Sequence, residues 1–246
     1  MTTATAQLDG RHVVVLGGTS GIGFATAAAA VAEGAKVTVV SSRQSSVDRA
    51  LAQLPATATA TGRALDLADA AKVRAFFDEL GEFDHLVFTA GEPLALMPLD
   101  TLDVEAARRF FGLRYFGALT AAQAAVPHLR EGGSITLTSG TAAARGGAGW
   151  GIASSICAAI EGLTRSLAVE LAPLRVNAVA PGVVRSPLWQ SMADADRERM
   201  FEETGAGLPA GRVGEPEDVA RAYVYCMTQP WATGTVQLID GGTVLA

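Results

Sequence analysis

His12-Val13-Val14-Val15-Leu16-Gly17-Gly18-Thr19-Ser20-Gly21-Ile22-Gly23 runs without a break into the Ala-rich segment Phe24 to Glu33. A continuous β-branched run such as Val13 to Leu16 reads as a buried parallel strand, and the Ala-rich segment reads as a helix. The turn between them needs glycine three times. Gly17 reverses the chain, Gly21 carries no side chain to hold a ligand away, and Gly23 lets the helix pack close on the strand. Backbone N–H groups of Thr19, Ser20 and Ile22, at the positive end of a helix, favour an anion, and a dinucleotide pyrophosphate is the usual one.

Outward from this stretch, strand and helix patterns alternate. Strands are expected near Lys36 to Ser41, Arg63 to Leu65, Asp84 to Thr89, Ser134 to Thr138, Arg175 to Val179 and Val236 to Ile239. Helices are expected over Ile22 to Glu33, Asp69 to Leu80, Asp103 to Leu129, Ile152 to Leu171 and Pro216 to Met227, with Asp69 as an N-cap. This rhythm is that of a doubly wound α/β protein, whose right-handed crossovers put a ligand crevice at the carboxyl ends of the strands.

The 246 residues, 49% of them hydrophobic, suffice for one large core, so a single domain over 1–246 is expected. A net charge of −6 with no basic block leaves nothing to attract nucleic acid. Met1 to Asp9 has no leader pattern and no apolar run looks long enough for a bilayer, so a cytoplasmic protein without a membrane partner is expected. Cys157 and Cys226 lack metal-ligand spacing; they read as reduced thiols, with no metal site.

The second strand ends in Ser41-Ser42-Arg43, with no carboxylate for ribose hydroxyls. Arg43 offers a fork of donors to a 2′-phosphate, with Ser42 and Thr19 nearby, which favours NADP(H) over NAD(H). The Gly-x3-Gly-x-Gly spacing, Leu65-Asp66-Leu67, Phe88-Thr89-Ala90-Gly91, Arg175-Val176-Asn177-Ala178-Val179-Ala180-Pro181-Gly182-Val183-Val184-Arg185-Ser186 and the tail through Asp240-Gly241-Gly242 together resemble the short-chain dehydrogenase/reductase family over nearly the whole chain. The resemblance implies a Rossmann-type, seven-stranded parallel sheet with helices on both faces. It also implies that Asp66 and Leu67 meet the adenine and that Ala90 and Gly91 permit close approach. Pro181, Gly182, Val184 and Ser186 would then hold the nicotinamide end.

That family works with a Ser, a Tyr, a Lys and an Asn, and this chain departs from all four. Matching Ala158-Ala159-Ile160-Glu161-Gly162-Leu163-Thr164 to the family helix puts Ala153 at the Tyr position and Cys157 at the Lys position. Gly140 falls at the Ser position and Arg114 at the Asn position. The only lysines are Lys36 and Lys72, the only tyrosines Tyr115, Tyr223 and Tyr225, and the only asparagine Asn177, so no register restores a Tyr-x3-Lys pair. Arg114 and Ser139 are the catalytic candidates, with Thr141, Ser154 and Ser155 as further hydroxyls. Cys157 reads as a packed residue, and Tyr115 as facing away from Arg114 by about 100° of helix. A lid over 186–208, with Trp189, Met192, Met200 and Phe201, points to a hydrophobic substrate. The resulting expectation is an NADP(H)-dependent oxidoreductase interconverting a ketone and an alcohol by a non-standard proton route. A silent NADP(H)-binding sensor or assembly subunit, and a non-redox lyase or isomerase, remain as alternatives. By the resemblance, a homotetramer or homodimer would form through the two long helices, where Ala158, Ala159 and Gly162 permit close contact.

Overall fold

A computed structural model of the chain describes residues 7–246. The expectations for the 1–246 domain span and for Met1 to Asp9 include residues 1–6, which lie outside the described residues. Seven parallel strands form one sheet in the order β3-β2-β1-β4-β5-β6-β7. They are β1 (His12–Leu16), β2 (Lys36–Ser41), β3 (Ala60–Ala64), β4 (Phe83–Phe88), β5 (Leu129–Thr138), β6 (Arg175–Pro181) and β7 (Val236–Ile239). The main helices are α1 (Gly21–Ala32), α2 (Gln44–Gln53), α3 (Ala70–Leu80), α4 (Val104–Phe111), α5 (Ala118–Ala125), α6 (Gly151–Glu170), α7 (Asp194–Gly207) and α8 (Pro216–Thr228).

Side chains alternate across each strand, so the β-branched run of β1 serves two cores at once. Val13 and Val15 join Val37, Val39, Val87 and Val179 beneath α1 and α8, with Ala27, Ala30 and Tyr223. Val14 and Leu16 join Leu86, Phe88, Ile135 and Leu137 on the opposite face, with Phe77 of α3, Ala121 of α5 and Ile160 of α6. Helices thus cover both faces of the sheet in three layers. After β3 the chain crosses back to place β4 against β1, where Leu16 is level with Phe88. The carboxyl ends of β1 and β4 therefore bound the crevice.

Several boundaries move. The third strand begins earlier than Arg63, at Ala60, and β5 starts at Leu129 rather than Ser134, with a shift of register between Phe83 and His85. Helices α2 and α7 were not expected: each buries only two residues, and Arg43 and Ala193, at their N-caps, give no capping side chain to mark where they begin. The tract from Asp103 is not one regular helix: a π-helical stretch, Gly112–Gly117, separates α4 from α5. Such widened turns recur where a helix must aim a side chain into a site. The expectation about bilayer-length runs also needs correction, since α6, at 20 residues, is long and apolar enough by length and composition. It nevertheless buries Ala153, Ile156, Ile160, Thr164 and Leu167 on one face, and carries Glu161, Arg165 and Glu170 elsewhere.

At the amino end of β6, the buried Arg175 guanidinium donates to the carbonyls of Cys226 (2.5 Å), Met227 (2.7 Å) and Gln229 (3.0 Å), which close the last turn of α8. These carbonyls have no intrahelical donor of their own. Replacing Arg175 with methionine is expected to lower unfolding free energy by about 2–3 kcal/mol, since it strands buried acceptors while keeping the volume. Urea unfolding measures this, and an unchanged midpoint would remove the capping role.

Candidate active site

The glycine turn lies at the switch point between β1 and β4. Gly17 has φ +87°, and a side chain there would meet the Ala90 backbone nitrogen at 2.6 Å. A Cβ on Gly23 would lie 2.2 Å from the Gly17 carbonyl oxygen and 2.4 Å from Thr89 Oγ1, so only glycine lets α1 seat on the turn. A Cβ on Gly21 would lie 3.0 Å from Pro187 Cδ and 3.3 Å from Ser186 Cβ, so glycine lets the 186–187 segment approach this turn. Ser20 makes no side-chain cap on α1, and the first turn of α1 holds no acidic residue. The early N–H groups of Gly21, Ile22 and Gly23 are therefore free of a competing carboxylate. A cradle bounded by Thr19, this helix end and Ser186 fits a pyrophosphate.

Ser42 and Arg43 are exposed at the carboxyl end of β2, and Arg43 makes no ion pair with any described residue. It is also the residue that begins α2, so its guanidinium and the α2 amino end share one corner. Asp69 caps α3 as expected, accepting from the backbone of Ala71 and Lys72 (both 3.1 Å). Asp66 holds the Ala68 N–H (3.0 Å) through one oxygen and keeps the other free. Leu67 is in the core, which leaves only its backbone for a ligand. Ala90 and Gly91 form the wall opposite Gly17. On the far side, Val184 is likewise buried; it pairs with Gly214, and its carbonyl accepts from Trp189 Nε1 (3.0 Å). Gly182 packs on the Asp240 backbone behind Pro181.

Three loops close over the carboxyl ends of the strands. Leu94 N–H donates to the Leu188 carbonyl (2.8 Å), and Met97 N–H donates to the Gly149 carbonyl (2.8 Å). Within 186–208, Phe201 of α7 is buried under Arg185, whose guanidinium lies 4.6 Å from the ring centre. Arg185 also pairs with Glu198 (2.5 Å) and Glu215 (3.6 Å), tying α7 to the body. Phe201 therefore packs α7 down and does not count toward an exposed apolar surface.

At the positions that matter for proton transfer, Ala153 is buried at the start of α6, and Cys157 Sγ lies 3.3 Å from where a Gly140 side chain would begin. Burial, the largest effect, pushes the Cys157 thiol up to about 11, with Glu161 adding to it, so it is a packed thiol and no nucleophile. Lys72 pairs with Asp69, and Lys36 starts β2 at the opposite end of the sheet. Tyr223 is enclosed in the core against Thr138 (2.6 Å), and Tyr115 packs on Phe111 and Phe116. None of them occupies the vacated places.

Ser139 requires correction. Its hydroxyl has one proton, and its partners are the Cys157 carbonyl (3.2 Å) and the Glu161 carboxylate (3.1 Å). In this arrangement it has no donor left for a substrate oxygen. Arg114, in contrast, reaches the crevice from the π-helical stretch. Its guanidinium packs on the backbone of Gly91, lies 4.6 Å from the Phe110 ring centre and donates to the Glu92 carbonyl. Burial lowers its pKa, while the charge of Glu92 and the Cys157 sulfur oppose that shift. Glu92 had escaped the sequence reading. The available signal was a carboxylate directly after Ala90-Gly91, in the irregular segment that follows β4.

A parallel sheet with a glycine turn at its switch point and a free helix end defines a dinucleotide-binding α/β protein. The chain belongs to the short-chain dehydrogenase/reductase family of oxidoreductases, whose SDR-like Rossmann domain matches residues 4–246. It is 36% identical to the short-chain dehydrogenase/reductase ucsE of Acremonium sp, with all of both chains covered. A small-chain dehydrogenase solved in complex with NADPH is 36% identical, with a TM-score of 0.84 over 97% of this chain and 100% of that one. The structure of MalC Reductase/Diels-Alderase from Malbranchea aurantiaca is 30% identical, with a TM-score of 0.91 over 98% and 99% of the two chains.

Proposed function

We propose that this protein is an NADP(H)-dependent oxidoreductase that interconverts a ketone and an alcohol on a small, hydrophobic organic molecule, without the family's tyrosine and lysine. The observation that carries this reading is the uncapped glycine turn facing Ser186, with Arg43 and no acid at the end of β2. The likeness to a dehydrogenase solved with NADPH supports it. In this reading the first turn of α1 and Thr19 hold the pyrophosphate, and Ser42 and Arg43 take the 2′-phosphate. Asp66 accepts from the adenine, while Pro181, Gly182, Val184 and Ser186 seat the nicotinamide end. Bound there, the nucleotide supplies or accepts a hydride. Arg114 orients the substrate oxygen and stabilises charge that develops on it, as a preorganised donor does. The lid, 186–208, excludes water, with Trp189 and Met192 offering apolar surface.

The whole 1–246 span acts as one domain in this account, and the chain assembles with copies of itself through the tracts 103–129 and 152–171, where Phe116 and Val169 are exposed. Titration of NADPH fluorescence, followed by NADPH consumption with a panel of cyclic ketones and quinones, tests the reading. Absence of nucleotide binding overturns it. Arg43→Ala is expected to weaken NADPH about 10- to 100-fold, with little change for NADH, because it removes a charge-assisted fork from one phosphate. Equal losses for both nucleotides would discard the 2′-phosphate assignment.

A second reading is non-redox catalysis on the same frame. Ala153 and Cys157 in place of a proton relay favour it, as does the likeness to a chain described as Reductase/Diels-Alderase. Product formation with no net change in the nucleotide would select it.

A further inference from the structure

Two polar atoms beside the crevice are enclosed without a hydrogen-bond partner: Nε of Arg114 and Oε2 of Glu92. They face each other at 3.7 Å, inside ion-pair range and beyond a hydrogen bond. One is purely a donor and the other, when ionised, purely an acceptor. Leaving such atoms unpaired inside a protein is costly, and it is tolerated where a ligand supplies the missing contact. A hydroxyl satisfies both, since its oxygen accepts from Nε while its proton goes to Oε2.

The placement is specific. Glu92 follows Gly91, one residue beyond the backbone that meets Gly17 of the nucleotide turn. Its own carbonyl is held by Arg114, and two residues later the chain is bonded to the lid at Leu188. The side chain is 43% exposed, so the carboxylate can swing aside to admit an oxygen and can exchange protons with water. The ionisable groups facing Arg114 are Glu92 from the loop after β4 and Cys157 from α6.

We propose that Glu92 is the catalytic residue that exchanges the proton with the substrate oxygen, while Arg114 holds that oxygen. This inference rests on the oxidoreductase reading above. When the alcohol is oxidised, its O–H bond breaks and the proton passes to the Glu92 carboxylate. The O–H electron pair forms the carbonyl π bond, and the carbon gives its hydride to an oxidised nicotinamide, which is reduced. The reverse direction returns the same proton. The pair thereby takes over, from a loop and a π-helical turn, the task the family assigns to α6.

The test compares wild type, Glu92→Gln and Glu92→Asp in NADP⁺-linked oxidation of cyclohexanol and 1-indanol. Wild-type kcat/KM is expected to fall as the carboxylate is protonated. Glu92→Gln should lower it about 10- to 100-fold and abolish that acid limb, whereas Glu92→Asp should keep the limb at reduced rate. Infrared difference spectra, wild type minus Glu92→Gln, give the titration of this carboxyl in the nucleotide-free chain. Its midpoint must coincide with the inflection of the rate profile. NADPH affinity, read by fluorescence, should be the same in all three. If Glu92→Gln keeps both rate and acid limb, this assignment is overturned and the oxidoreductase reading stands. If wild type binds NADPH yet interconverts no alcohol or ketone, both fall together.

Discussion

Replacing Arg114 with alanine is expected to lower kcat/KM by about 10²- to 10³-fold, the cost of removing one preorganised donor from a developing oxyanion. The size follows from its surroundings. The side chain is only 21% exposed, it lies against the Phe110 ring, and its backbone partner Glu92 fixes its direction. A guanidinium held this way needs little reorganisation when charge appears beside it. The loss should fall mainly on kcat, because the interaction strengthens as the carbonyl gains negative charge. Arg114→Lys should recover little, since a point charge on a flexible stem cannot present Nε and the terminal nitrogens as one plane. NADPH titration serves as the control, because Arg114 touches none of the residues assigned to the nucleotide phosphates. Turnover unchanged in Arg114→Ala, with folding intact, would remove it from the mechanism.

Acidification should destabilise the fold before its carboxylates titrate. His12 and His85 are both buried and both pushed down to about 4, mainly by burial; Lys36 adds to the shift at His12, while Asp84 opposes it at each. Their ring nitrogens are engaged by Thr38 Oγ1 (2.8 Å) and Ser134 Oγ (2.9 Å). An unfolded chain takes up protons near the ordinary value of 6.5, whereas the folded chain resists until about 4. Stability is thus complete above that ordinary value and drains away as pH falls toward the folded one. His85, the more enclosed of the two, accounts for about 3 kcal/mol across that window, and His12 adds a loss of the same sign. Asp84 behaves likewise at lower pH. Although burial pushes it up, bonds from the His12 backbone and Arg11 hold its carboxyl below the usual range. Urea midpoints at about pH 7, 6 and 5 measure the slope. His85→Gln should flatten it, and a midpoint constant across this range would show that neither imidazole is sheltered from protonation.

Sequence made the frame legible because its signals are local. The Val13 to Leu16 run, the glycine spacing and the β-branched strand Arg175 to Val179 each carry their structure within a few residues. The nucleotide cradle shared that advantage, since its donors are backbone groups whose positions the turn dictates. Helices α2 and α7 did not, as each buries only two residues and neither begins on a capping side chain. The π-helical widening at Gly112–Gly117 has no sequence mark at all, yet it decides where Arg114 points. Ser139 illustrates the converse error. It is next to the family's serine position, just past the end of β5, but its hydroxyl meets Glu161 and the Cys157 carbonyl. Glu92 was missed because the pairing that gives it meaning is with a residue 22 positions away.

Strands β1 and β4 carry the glycine turn and the Glu92 loop at one extremity, and His12, Asp84 and His85 at the other. Chemistry and acid tolerance are thereby written on opposite rims of the same ribbon. A variant built for sour media could be edited along the lower rim alone, leaving the machinery on the upper one as it was found.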